Sequence, residues 1–345
     1  MEHNQFGKSF AICTFVFILL SSFLLLNGCE SESKPRLRAG AFFGSPAWMD
    51  FPNPEKLGTH HFGFSLNEKN GMVYTCKAGF IDIGHLREAA DRTAYLAAVT
   101  YRNLMLKKSE FWFRVIEPSR YWVKVSYPEN WEGQSVEEKE RIANEVSIHL
   151  GQYFAHTSMV WHEILTWYGF STTGIFSDRI SSFSWEDTYS DLLGTSLAVE
   201  ALRTNQQRFD DSMTKLIDQT LNDLEVQPSA VARQAAKQIK GEWFTGGMYF
   251  FVEMKKQNFD IGLDDGQITA MLVPGICDDG EAQPFPVPSQ EIVSQYGFEM
   301  KLEIEPRVWE KNKIYDAIGL EKTESRLEPK VHYPKILEHI NNQAR

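Results

Sequence analysis

The residues best suited to chemistry are a histidine–glutamate pair within Trp161-His162-Glu163-Ile164-Leu165-Thr166-Trp167. In the H-E-x-x-H arrangement, two imidazoles one helical turn apart hold zinc, and the glutamate between them takes a proton from metal-held water. Here the fifth position is Thr166, a poor zinc ligand, so the local motif lacks its second imidazole. A metal at His162 must therefore draw its other ligands from elsewhere in the chain. Two segments offer them. Asp82 and His85 are three residues apart at the head of an expected helix, an acid–imidazole unit that can bind a metal or act as a base. Ser184-Trp185-Glu186-Asp187 opens another helix, which brings Asp187 after a short loop. The metal-ligand set expected from sequence is thus His85, Asp82, His162 and Asp187, around zinc or another divalent metal. Glu163 is the expected catalytic base, and the chemistry would be metal-dependent, peptidase-like hydrolysis.

Each of these residues also has a plainer reading. Asp82 and Asp187 sit where helix caps and first-turn acids belong. At about 100° per residue, His162 shares a face with Ile148, Gly151, Ala155 and Thr166. Small residues there admit a second helix, so His162 also reads as a structural histidine at a helix contact. His149, His156 and Glu163 fall on another stripe with Glu145, Gln152 and Trp167, which could line a cleft or face water. Cys76 with His60, His61 or His85 could form a cysteine hydrolase, although a thiol in a strand-like run is more often buried or bonded. Asp260–Ile268 resembles part of a calcium loop, but Ile261 and Leu263 stand where carboxylates are required. It reads as a tight acidic turn. No G-x-S-x-G, P-loop or dinucleotide fingerprint is present.

The elements that must position these groups follow from periodicity and caps. Strand-like runs cover His60–Leu66 and Met72–Cys76. A helix is expected from Ile83 to Leu104 with Asp82 as N-cap. Phe111–Ile116 and Tyr121–Tyr127 flank a turn, as in a β-hairpin. Ser135-Val136-Glu137-Glu138 is a capping box that opens a long helix closed by Gly169. Further helices are expected over Ser184–Arg203, Asp211–Val226 and Ser229–Gly241. Phe298–Glu305 alternates apolar and charged residues, the mark of a strand with one wet face. A short helix after Pro334 ends the chain. The expected fold is α+β, a helical middle packed against strands from the N- and C-terminal parts of the mature chain.

The N-terminus addresses location. Phe10–Leu26 is an apolar run, and Leu26-Asn27-Gly28-Cys29 resembles a lipobox, with a small residue at the cut and a cysteine to acylate. Residues 1–28 read as a lipoprotein signal peptide, 29–39 as a flexible tether and 40–345 as one globular domain. Acyl chains supply about 0.8 kcal/mol per buried CH₂, so several together would hold Cys29 on a membrane. Glu30, rather than Asp, after the cysteine implies an outer-membrane anchor facing the periplasm if the cell is Gram-negative. A net charge of −11 disfavours nucleic acid as partner. With Cys13 in the leader and Cys29 lipidated, Cys76 and Cys277 remain. They could close a disulfide worth up to about 4–5 kcal/mol in the chain-entropy model, or stay as two buried thiols.

Four strings, Gly79–Ala97, His162–Gly169, Phe183–Thr195 and Asp260–Gly275, resemble a family of bacterial lipoproteins catalogued as domain of unknown function 4056. The resemblance spans the mature chain and brings no activity with it. It implies only that these segments belong together, and three of them are the clusters reached above by chemistry. Three functions are therefore in contention. The first is a metal-dependent envelope hydrolase. The second is a non-catalytic structural or binding lipoprotein with exposed aromatics for a partner or glycan. The third is a cysteine hydrolase using Cys76. The metal reading requires His85 and His162 to meet in one pocket.

Overall fold

The computed structural model describes residues 34–38, 50–63, 65–171, 181–204, 207–245, 254–277 and 281–344. The expected leader and Cys29 lie outside the described residues. Among the described residues, no helix is long and apolar enough to cross a membrane. Contacts divide the chain after Lys34, and Pro35–Arg345 form one unit. The expected tether over 29–39 is thus cut short at its far end. Leu37 packs against the main hydrophobic cluster, and Arg38 is buried in bonds to Glu68 and Asp91. A polar stretch reads as solvated only while its charged partners, 30 and 53 residues away, are out of view.

Among the described residues, a 3-10 turn over Pro54–Lys56 precedes an antiparallel pair, β1 (Met72–Thr75) and β2 (Gly79–Asp82), and β2 runs directly into α1 (Ile83–Met105). β3 (Glu110–Phe113) and β4 (Arg120–Ser126) then form a hairpin. α2 (Val136–Trp167) follows; its 32 residues span about 48 Å. α3 (Asp187–Arg203), α4 (Phe209–Asp223) and α5 (Ser229–Ile239) complete the helical middle. β5 (Gln267–Thr269) pairs with β6 (Pro284–Pro286), and β7 (Glu299–Glu305) precedes α6 (Lys311–Ile318) and α7 (Pro329–Ala344). β7 adds to the hairpin in the order β3-β4-β7, antiparallel throughout. A C-terminal strand thereby joins strands that precede the long helix. The fold is α+β, as the sequence implies.

Local chemistry accounts for the helix starts. Ser135 Oγ accepts the Glu138 amide and Asp82 accepts the Gly84 and His85 amides, each satisfying donors that a helix leaves open at its N-terminus. The α3 start departs from expectation. Ser184 Oγ donates to Glu186 Oε1 instead of capping, and the helix opens at Asp187. His60–Leu66 contains no strand among the described residues; His60 is held by side chains, its amide by Thr214 and its ring by Asp91. Pro334 lies inside α7 rather than ahead of it.

Two glycines set the helix spacing. A Cβ on Gly151 of α2 would stand 2.7 Å from the Ala97 nitrogen of α1, and one on Gly194 of α3 would stand 2.0 Å from the Leu86 carbonyl oxygen. Both helices therefore press their backbones onto α1, which leaves little of α1 exposed. Its buried arginines find partners: Arg92 bonds Glu88 and Ser158, and Arg87 bonds the Leu57 and Lys69 carbonyls, while both Nε atoms make no hydrogen bond among the described residues. Unpaired burial of such groups costs several kcal/mol. Cys76, just past β1, is disulfide-bonded to Cys277. A sulfur in a disulfide is no nucleophile, so the cysteine-hydrolase reading of Cys76 is corrected here.

Candidate metal centre

Asp82 ends β2 and caps α1, and the cap fixes the roles of its two oxygens. Oδ1 accepts the Gly84 amide at 2.7 Å and the His85 amide at 3.3 Å. Oδ2 is buried and has no hydrogen-bond partner. His85 lies one turn on, and its Nδ1 stands 3.1 Å from Asp82 Oδ2 and 3.2 Å from Asp187 Oδ1. Both are ion-pair contacts, and among the described residues Nδ1 and the two carboxylate oxygens, all buried, make no hydrogen bond. The three atoms lie within 4.8 Å of one another. Buried polar atoms are nearly always hydrogen-bonded, so three that meet through charge alone are unusual. The Asp82–His85–Asp187 group could hold a metal ion.

The surroundings carry excess negative charge. Glu163 of α2, Glu186 before α3, and Asp191 one turn beyond Asp187 are all buried. Glu186 Oε2 and Asp191 Oδ1 have no hydrogen-bond partner. Burial, then the charge of Asp187, pushes Glu163 up to about 7. Burial likewise raises Asp187, against the pull of His85, and drives Glu186 and Asp191 well above the usual carboxylate range. Burial alone would lower His85, but the charges of Asp187 and Asp82 outweigh it and hold the imidazolium well above its usual value. These buried acids repel one another's charge, so they do not all ionise together.

Glu163 is held from the far side of this pool. Its Oε2 accepts the Phe183 amide at 2.5 Å. Phe183 adopts a left-handed backbone (φ 53°), a conformation that a bulky residue occupies only when its surroundings impose it. Its ring is fully buried and packs on Phe259 at 5.2 Å. Aromatic packing thus aims one amide at the carboxylate.

His162 does not join the ligand group, which corrects the expected four-ligand set. Its Nδ1 lies 2.6 Å from Glu117 Oε1, a buried carboxylate in the β3–β4 connection. Burial lowers the imidazole, but the hydrogen bond and charge of Glu117 overcome this and hold it at about 9. The ring is partly exposed. His85 and His162 therefore do not share one metal. They border the same acidic pool, since Asp187 and Glu163 feel the charge of both.

Several contributors escaped the sequence. Glu117 reads as a turn residue because its partner is 45 positions away. Glu186 is masked by the capping motif, whereas Asp191 was visible only as one of several acids at helical spacing. The stripe of His149, His156 and Glu163 does not line one cleft: at its partly exposed end His149 meets Arg203, Gln152 bonds Ser196 of α3, and His156 and Glu163 are buried. Burial lowers His156 to about 4. The Asp260 segment is the expected turn, with Asp260 accepting the Gly262 and Thr269 amides.

Residues 54–249, more than half of the chain, match the family model described as "Protein of unknown function (DUF4056)". The chain belongs to that family. The DUF4056 match takes in Asp82, His85, Glu117, His162, Glu163, Asp187 and Asp191, the whole of the acidic pool and its neighbouring dyad. It leaves out β7, α6 and α7, the C-terminal part of the sheet and its covering helices. No curated protein and no solved structure matches the chain.

Proposed function

We propose that this protein is a metal-dependent hydrolase of a bacterial cell envelope, tethered to the membrane through lipid on Cys29. The observation that carries the reading is the set of three unpartnered, mutually facing atoms, Asp82 Oδ2, His85 Nδ1 and Asp187 Oδ1. Two carboxylates and one imidazole suit zinc, manganese or iron(II), and a bound divalent ion would supply Lewis-acid polarisation of a carbonyl or phosphoryl oxygen. Glu163, buried beside the group and poised near neutrality, takes the proton from attacking water. The partly exposed His162, oriented by Glu117 and charged at neutral pH, returns a proton to the leaving group. The envelope location draws on the lipobox-like Leu26–Cys29 and on the Cys76–Cys277 disulfide, which suits an oxidising compartment.

The test is metal content and affinity in the purified mature chain. Near-stoichiometric zinc, manganese or iron is expected by elemental analysis. His85→Ala and Asp187→Asn should weaken binding by about 100-fold or more while keeping the wild-type circular dichroism spectrum. A folded wild-type chain that binds these ions no better than His85→Ala ends the metal reading. For the anchor, acyl labelling should be lost in Cys29→Ser. A second reading, a non-catalytic envelope binder, draws on the outer face of the β3-β4-β7 sheet. There Trp112 and Trp122 lie 6.4 Å apart, with Arg120 over Trp112 and Arg326 over Trp122. Absence of metal combined with glycan affinity lost in Trp112→Ala would favour it.

A further inference from the structure

The proposed ligands come from two separate segments, the β2–α1 junction and the start of α3, and one side chain outside the ligand set ties them together. Ser190 Oγ accepts the Asp82 amide at 2.9 Å and donates to the Glu186 carbonyl at 2.7 Å. The first bond crosses from α3 to the end of β2. The second holds the hydroxyl one turn back along its own helix, at the residue before Asp187. Ser190 is completely buried, so no water replaces either partner.

The crossing bond acts on the ligand geometry directly. Asp82 uses Oδ1 to cap α1, so its backbone position decides where Oδ2 emerges and where His85, one turn later, points. A turn beyond Ser190, Gly194 lies against the Leu86 carbonyl, where a Cβ would stand only 2.0 Å away. α3 therefore meets the first turn of α1 backbone to backbone, with Ser190 as the polar pin of that contact. We infer that Ser190 is the positioning residue of the metal centre: its hydroxyl locks the head of α1 onto α3, so that Asp82 Oδ2 and His85 Nδ1 face Asp187 Oδ1. This rests on the metal reading above, and it separates from that reading in its outcomes.

The experiment titrates chelator-stripped mature protein with Zn²⁺ and with Mn²⁺ by calorimetry, with thermal melts of the apo forms alongside. Ser190→Ala is expected to bind about 10–100-fold more weakly, the usual cost of losing a group that orients a ligand. Thr195→Ala is the control. Thr195 is a buried hydroxyl of the same helix that bonds only the Leu192 carbonyl. Its loss should lower the melting temperature and leave metal affinity unchanged. Should Ser190→Ala fail to fold, Ser190→Thr and Ser190→Val carry the test, since they share a shape and differ in the hydroxyl. Thr should then bind at least about tenfold more tightly than Val. Equal affinity in wild type and Ser190→Ala, or in the Thr and Val variants, overturns the positioning role and leaves the metal reading standing. A wild type that binds neither ion overturns both.

Discussion

α1 carries two buried clusters of acid and imidazole about 9 Å apart along its axis, one around His85 and the other around Asp91. They have similar ingredients and opposite states. At Asp91 the charges are closed off. Oδ1 meets His60 Nε2 at 3.0 Å, and Oδ2 accepts from Arg38 Nε and the Gly63 amide. Glu68 completes the network with two bonds to Arg38 and one to the His61 amide. Burial works against the Arg38 charge, but Glu68 and Asp91 reverse this and raise its affinity for the proton. At His85 no arginine bonds the carboxylates among the described residues. Three ligand atoms face one another unpartnered, and neighbouring acids are driven toward neutrality. An arginine can satisfy several carboxylate lone pairs with its fixed fork of donors, whereas one imidazole cannot. The first cluster is a structural joint in which, among the described residues, only His60 Nδ1 is left without a hydrogen bond. The second could hold a metal ion.

The comparison can be broken by removing the charge that closes the first cluster. Arg38→Ala leaves Glu68 and Asp91 buried without their cation and should cost about 3–5 kcal/mol in denaturant unfolding, the usual result of halving a buried ion network. A loss under about 1 kcal/mol would mean the network is solvated and the contrast is false. The opposite is expected in the second cluster. Asp187→Asn removes one of several crowded acids, so the apo protein at pH 8 should be as stable as wild type or more so. Its affinity for Zn²⁺ should nevertheless fall by about 100-fold or more, equivalent to about 2.8 kcal/mol. Asp187→Asn that unfolds the apo chain would show that the pool is a structural joint too.

A smaller effect sharpens the assignment of His162 to a dyad with Glu117. Its folded value of about 9 lies above the ordinary 6.5, so the protonated ring binds more strongly in the folded chain. The resulting stability is fully present below pH 6.5 and is lost as pH rises through 9. The gap in stability between wild type and His162→Gln should therefore be constant at low pH and shrink across that window. The opposite trend belongs to His156, buried and lowered to about 4. It favours folding above pH 6.5 and opposes it as pH falls toward 4, so His156→Gln should narrow the acid-side loss. A His162→Gln gap that widens with rising pH would contradict the Glu117 pairing.

Much of the scaffold was legible because its causes are local. The Asp82 cap, the Ser135 box and the apolar spacing of α1 and α2 act within a few residues, where hydrogen bonds close on near neighbours. The alternation in β7 likewise marks a strand with one buried side. The site was legible in its ingredients and not in its grouping. Asp82, His85, Asp187 and Glu163 stand out by type and spacing, yet nothing near His162 distinguishes a metal ligand from the partner of a distant glutamate. The Arg38 joint was hidden for the same reason, since a polar segment looks solvated until its partners come into contact.

By itself, then, the sequence determined the helices around the site, the α+β layout and the list of groups able to do chemistry. Tertiary packing decided which of two histidines faces a pair of empty carboxylate oxygens and which of two acid clusters an arginine closes. The physical reason is range. Caps and periodicity depend on atoms a turn apart, whereas the sign and completeness of a buried charge cluster depend on side chains that glycine-tight helix contacts bring together from 30 to more than 100 positions away.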